Sequence, residues 1–314
     1  MGFAQCSGTD IRPQLDSSAQ ADLARYVAHM PYAQGNHWRA EKDGEVLTVI
    51  GTMHFSDPRM DAITSGLTDE ITTSGLLLLE ATSEDAAAFE QLLSADPALI
   101  LLADGLLSDH LAAPAWQSVT ERLGMMGLSP EVAAQLRPWY AAIMMGLPDC
   151  LLTSADAAYG LDKRLEDIAR QSGTPVRSLE PADTIVRLFD ALSFAEQVEM
   201  LEMTTLQRDD IADQTASLIE AYFEESATEG WMLGKVLAAR ANALPADQVD
   251  RMFDQMTDIF LTKRNHNWIP VILEAAANEA APITVAVGAA HLGGEHGLLK
   301  LLADQGFTLT RHPF

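Results

Sequence analysis

Val46-Leu47-Thr48-Val49-Ile50-Gly51-Thr52-Met53-His54 and Ile283-Thr284-Val285-Ala286-Val287-Gly288-Ala289-Ala290-His291 share one pattern: a short apolar run, a glycine, two residues and a histidine. Apolar runs of this length, bounded by turn residues, read as strands buried on both faces of a sheet. A glycine at the strand exit, Gly51 or Gly288, lets backbone come close to a ligand where a Cβ would intrude. Upstream of the first run, Asp43-Gly44 supplies the left-handed residues of a tight turn, so 38–41 and 46–50 pair as a hairpin. The remaining strand candidates are 76–79, 176–178 and 307–310.

Between the strands, helical periodicity predicts helices over 60–73, 84–94, 97–109, 115–124, 129–145, 154–172, 182–191, 195–225, 229–242, 247–278 and 295–305. The class is α/β: a central, mostly parallel sheet built from N- and C-terminal segments, with a large helical insertion or cap. Residues 1–314 read as a single domain, in which 36–181 and 282–314 form the sheet core. The stretch 182–281, dense in Met, Leu, Ala and Glu, forms the cap.

With 48% apolar and 21% charged residues the chain has the composition of a folded globular protein. Its 20 Lys and Arg against 45 Asp and Glu leave a net charge of −25, which repels a phosphate backbone and argues against nucleic acid and anionic lipid as partners. No apolar run reaches the ~18 residues of a membrane helix; Asp104 interrupts even the stretch 98–107. Walker, dinucleotide-binding and nucleophile-elbow signatures are all missing.

Ligands of open α/β sheets bind beyond the carboxyl ends of the strands. Four polar residues follow such ends: His54, Glu80, Glu180 and His291. Two imidazoles and a carboxylate are a common ligand set for a catalytic divalent metal, whereas a lone loop histidine more often hydrogen-bonds backbone. The repeated G-x-x-H context favours the metal reading. Arg264 and Asn265 lie in an apolar frame with Phe260, Leu261, Trp268 and Ile272. They suit a carboxylate clamp or oxyanion contact, although taken alone they read as a solvated surface turn. Gly294-Glu295-His296-Gly297 reads as the entry to the last helix, and the methionine-rich stretches read as adaptable core.

Taken as a set, Gly51 to His54, Leu77-Leu78-Leu79-Glu80, Arg137-Pro138-Trp139, Gly160-Leu161-Asp162, Leu179-Glu180, Arg264-Asn265 with Trp268, and Gly288-x-x-His291-x-x-Gly294-x-x-Gly297-Leu298-Leu299 resemble the TraB/GumN family. That family includes the Tiki metalloproteases and lies near ChaN and the erythromycin esterases in fold. The resemblance runs from about residue 36 to the end. It implies a metal site of His54, His291 and Glu80, with Mn²⁺ or Co²⁺ as the ion and Zn²⁺ a further candidate. Glu80 would double as base, with Arg264 and Asn265 as substrate and oxyanion contacts and Asp162 and Glu180 supporting them. The implied reaction is hydrolysis of a peptide or related small-molecule amide. The link of the TraB branch to shutting down a peptide pheromone makes ligand capture without cleavage the alternative. ChaN-like folds also bind haem, but no axial ligand pair is specified here.

Cys6 and Cys150 are far apart and form no CxxC, so they are either one staple or two unrelated thiols. Met1-Gly2-Phe3-Ala4 has neither basic nor apolar signal-peptide regions. The segment from Cys6 to Tyr32 resembles the post-signal portion of exported members, and Gln5 fits a lipobox poorly, so a soluble periplasmic or secreted location is expected. In such an oxidising compartment Cys6 and Cys150, the latter placed in the loop 148–150, are expected to pair.

Overall fold

The computed structural model describes residues 6, 8–206, 211–241, 245–279 and 281–314. Met1 to Ala4, and parts of the helices expected over 195–225 and 229–242, lie outside the described residues. Six strands form one sheet: β1 (His37–Lys42), β2 (Glu45–Thr52), β3 (Leu76–Leu79), β4 (Val176–Ser178), β5 (Ile283–Gly288) and β6 (Thr308–Arg311). Their order is β4-β3-β5-β2-β1-β6, parallel from β4 to β2 and antiparallel at the two β1 pairings. The hairpin turns as expected, with Asp43 and Gly44 both at positive φ.

Strand alternation divides the core. Leu77, Leu79, Ile50 and Ala286 pack under the helices Met60–Thr73 and Leu161–Ser172. Leu76, Leu78, Val285 and Val287 pack on the opposite face against Trp268 and Ile272 of the helix Lys263–Asn278 and Leu298 and Leu302 of Leu298–Asp304. Ladder register aligns Thr52 with Gly288, and Leu79 with both Ala286 and Ser178, so these four strands finish along one edge.

The described part of 182–281 is helical, but it is not the whole cover. A separate apolar cluster joins Leu107, Val119, Leu123, Trp139 and Met145 to Val186, Phe189 and Leu201, so the stretch before β4 supplies most of it. Several expected helices are shorter than periodicity suggested. The segment 97–109 carries only short 3₁₀ turns, Pro97–Leu99 and Leu107–His110, because Gly105 takes positive φ and Leu101 bridges to Leu136. The expected helix 129–145 splits into Pro130–Ala133 and Pro138–Gly146, with Arg137 extended before Pro138 as a pre-proline residue prefers. The one expected over 154–172 begins properly only at Leu161, after extended Gly160, and the last helix begins at Leu298 and not at residue 295. Cys6 and Cys150 are disulfide-bonded with Cα atoms 4.9 Å apart. Cys150 sits in the short helix Asp149–Thr153 rather than in a loop.

Candidate functional site

The aligned strand ends bring His54, Glu80, Glu180 and His291 to one edge, and Arg264 reaches them from the adjacent helix. Arg264 is 8% exposed, so its reading as a surface turn is corrected. Its Nε and Nη2 donate to the two Glu180 oxygens at 3.0 and 2.6 Å, and Nη2 also donates to Glu80 Oε2 at 2.6 Å. Such a fork-to-carboxylate pair fixes orientation as well as charge. Trp268 Nε1 donates to Glu180 Oε2 at 3.0 Å, and the Gly288 N–H donates to Glu80 Oε1 at 2.6 Å.

A five-residue π turn, Asp258–Thr262, precedes Arg264. The Phe260 carbonyl in that turn accepts from Arg264 Nη1 at 3.3 Å. Wide turns of this type recur at functional sites because they leave a carbonyl outside the regular ladder.

Asn265, 1% exposed, organises the second histidine. Its Nδ2 donates to the carbonyls of His291 and His296 at 3.1 and 2.8 Å, which turns Oδ1 towards His291 Nδ1 at 2.7 Å. That network assigns the imidazole proton to Nδ1 and the lone pair to Nε2, which lies 3.3 Å from Arg264 Nη1 and 3.6 Å from Glu80 Oε1. Burial pushes the His291 pKa down; Glu80 opposes this, but the charges of Arg264 and His54 reinforce it, so His291 is neutral at pH 7. Burial alone would raise Glu80, yet the positive charges of His291 when protonated, of Arg264 and of His54, with the Gly288 N–H, hold it well below the usual carboxylate range. Since His291 is neutral, Arg264 is the partner that keeps Glu80 ionised at pH 7.

His54 is the open member, with 63% of its side chain exposed and Nδ1 3.3 Å from Asp162 Oδ2. Desolvation at the cleft wall opposes its charge, but the Asp162 hydrogen bond and the charges of Asp162 and Glu80 prevail and raise its pKa. Gly160 makes this pairing possible. A Cβ there would lie 2.0 Å from the Met53 carbonyl and 2.5 Å from His54 backbone, and Leu161 N donates to that same carbonyl at 2.9 Å. Gly51 is tied in turn by Tyr222, whose hydroxyl donates to its carbonyl at 3.0 Å.

His54, Glu80, Asp162, Glu180 and Arg264 border a cleft of about 450 Å³ that also takes in Thr52, Ser83, Glu90, Lys163 and Glu166, with His291 buried behind Glu80 and Arg264. Thr52 is a site residue the sequence reading missed. Its Oγ1 and Asp162 Oδ1 are buried without hydrogen-bond partners, and both residues line the cleft. The second G-x-x-H carries alanine at the matching position, so comparing the two motifs hides this hydroxyl.

Among the described residues no three His, Cys, Asp or Glu side chains stand close enough to share a cation. The donor chemistry nevertheless suits one. Asp162 engages Nδ1 of His54 and Asn265 engages Nδ1 of His291, so a cation would meet Nε2 of each ring, that of His291 now facing Arg264 Nη1, and Glu80 is ionised.

Comparison with known proteins gives a consistent placement. "Uncharacterized protein YbaP" of Escherichia coli (strain K12) is 25% identical over 259 residues, which cover 81% of this chain and 86% of that protein. The protein of the same name from Shigella flexneri matches with the same figures. The sequence model of the TraB/PrgY/gumN family matches residues 36–311, from the start of the sheet to its last strand. With the match spanning nearly the whole fold, the chain belongs to the TraB/PrgY/gumN family.

Proposed function

We propose that the cleft hydrolyses a peptide or a related small amide. The observation that carries this reading is the convergence of both G-x-x-H histidines with Glu80 and Arg264 at one sheet edge, each ring tethered through Nδ1 by a neighbouring side chain. A divalent ion, Mn²⁺ or Co²⁺ by family resemblance and Zn²⁺ by donor type, would be held by His54, His291 and Glu80, and when bound would supply Lewis acidity and a more acidic water. Ionised Glu80 accepts the proton of the attacking water. Arg264, held by Glu180, places a fixed cation where negative charge develops on the carbonyl oxygen. The proton Glu80 has taken then passes to the leaving amine, while Asp162 orients the His54 ring through Nδ1 so that Nε2 faces the ion. The Cys6–Cys150 bond is compatible with an oxidising compartment, and no helix among the described residues is long and apolar enough to cross a membrane; we assign the chain to the periplasm or the exterior.

The test is digestion of a peptide library by wild type and by His54→Ala, with added Mn²⁺ and after chelation. Cleavage that needs the ion and falls at least ~100-fold in the variant is expected. Cleavage untouched by chelation overturns the metal component, and cleavage untouched by His54→Ala overturns the site. A second reading, capture without cleavage, is favoured by one observation: Arg264 is already paired with both Glu80 and Glu180. Retention of intact peptide by wild type without products would establish it.

A further inference from the structure

We propose that His266 and His296 form a second, surface cation site, a two-imidazole clip for a borderline divalent ion such as Zn²⁺ beside Asn265. His266 Nε2 and His296 Nδ1 are 3.2 Å apart, with ring centroids at 5.3 Å and planes tilted by 53°. A tetrahedral Zn²⁺ with bonds of about 2.0 Å to imidazole spaces two of its nitrogens by roughly 3.3 Å, so the pair already has ligand spacing. In the free protein one of the two nitrogens carries a proton and the other accepts it. A cation replaces that shared proton once the exposed rings turn slightly about their Cβ–Cγ bonds.

The backbones beneath the rings are fixed. His266 rides on the helix Lys263–Asn278. The His296 carbonyl accepts from Asn265 Nδ2 at 2.8 Å, and its loop is pinned by Gly294 N to the Pro31 carbonyl at 2.8 Å and Gly297 N to the Gly294 carbonyl at 3.0 Å. Little ordering of the chain is therefore needed on binding. No third protein ligand stands with the pair among the described residues, so water completes the shell and binding is reversible. Imidazole donors favour Zn²⁺ over the harder Mn²⁺. The site is distinct from the one proposed around His54, His291 and Glu80, and it gives a role to Gly294-Glu295-His296-Gly297, which the hydrolase reading leaves unused. An ion here links the helix bearing Arg264 and Asn265 to the loop that follows His291.

The experiment is equilibrium dialysis of metal-stripped full-length protein against zinc chloride, with bound zinc quantified, beside thermal unfolding with and without zinc. Wild type, His266→Ala, His296→Ala and the double variant His54→Ala/His291→Ala are compared. His266→Ala and His296→Ala are each expected to bind one equivalent less than wild type and to lose the associated rise in unfolding temperature, while keeping the wild-type unfolding temperature in the absence of zinc because both rings are exposed. That equivalent survives in the double variant. Unchanged stoichiometry in His266→Ala and His296→Ala, or no zinc bound by wild type beyond that of these variants, overturns the proposal. Failure of peptide cleavage by wild type leaves this result unaffected, so the two readings fail separately.

Discussion

The two motif histidines look equivalent in sequence yet do different structural work. His54 is exposed, so His54→Ala is expected to shift stability by no more than ~0.5 kcal/mol in urea unfolding while abolishing cleavage. His291 is 4% exposed and its removal strands Asn265 Oδ1, so His291→Ala is expected to cost ~1–3 kcal/mol in the same measurement. Glycines divide in the same way. Gly160→Ala drives a Cβ into the Met53 carbonyl, which has no freedom to move away, and overpacking of this type costs about 1–3 kcal/mol. Gly66, exposed within the helix Met60–Thr73 with open space at its Cβ position, is the contrast: Gly66→Ala is expected to stabilise by ~0.5–1 kcal/mol.

At the level of elements, the cleft has one firm wall and one soft wall. The helix Lys263–Asn278 buries Trp268 and Ile272 completely, which offsets Pro270 within it, where the N–H that would have met the His266 carbonyl is missing. The helix Ser83–Ala95 has no buried residue. It is held at its start, by a Thr82–Asp85 capping box and by Glu166, which accepts from Ser83 N and Oγ at 3.0 and 2.7 Å. Few buried apolar contacts mean low local stability. Amide hydrogen exchange is therefore expected to be faster across 83–95 than across 263–278; equal protection of the two would show that the wall does not open independently.

For the molecule as a whole, two long-range ties govern stability. The disulfide closes a span of 144 residues. In the chain-entropy account that is worth about 5 kcal/mol, so Cys6→Ser/Cys150→Ser or reduction should lower the urea midpoint markedly. The second tie joins sheet to helix: His37 Nδ1 donates to the Pro313 carbonyl at 2.9 Å while Nε2 meets Glu70 Oε2 at 3.0 Å. Burial lowers the His37 pKa, but these bonds and the Glu70 charge more than reverse it, so the folded value is raised. Its stabilising contribution is complete below the unfolded value of ~6.5 and fades as pH rises through the folded one. Glu70 is lowered, chiefly by its bond to His37, so its contribution is present above the ordinary value of ~4.3 and fades as pH falls. The pair therefore stabilises most between about pH 4.5 and 6.5. Wild type should lose more stability than His37→Gln between pH 6 and 9 in parallel urea titrations, and equal losses would sink the assignment.

What the amino-acid order determined was local. Apolar runs ending in glycine or a carboxylate define β2, β3 and β5, Asp43-Gly44 defines the hairpin, and the repeated G-x-x-H marks the strand ends that face a ligand. Each of these depends on neighbours within a few residues, through side-chain alternation and turn chemistry. Tertiary structure decided what depended on distant partners. Apolar 97–109 looked helical, but Leu101 found Leu136. Arg264 looked solvated until Glu80 and Glu180, 184 and 84 residues away, were placed around it. The Thr52 hydroxyl and the His266–His296 pair carry no periodic signature at all; they acquire meaning only when separate elements close around them, because side-chain pairing across such spans is set by packing and not by spacing along the chain.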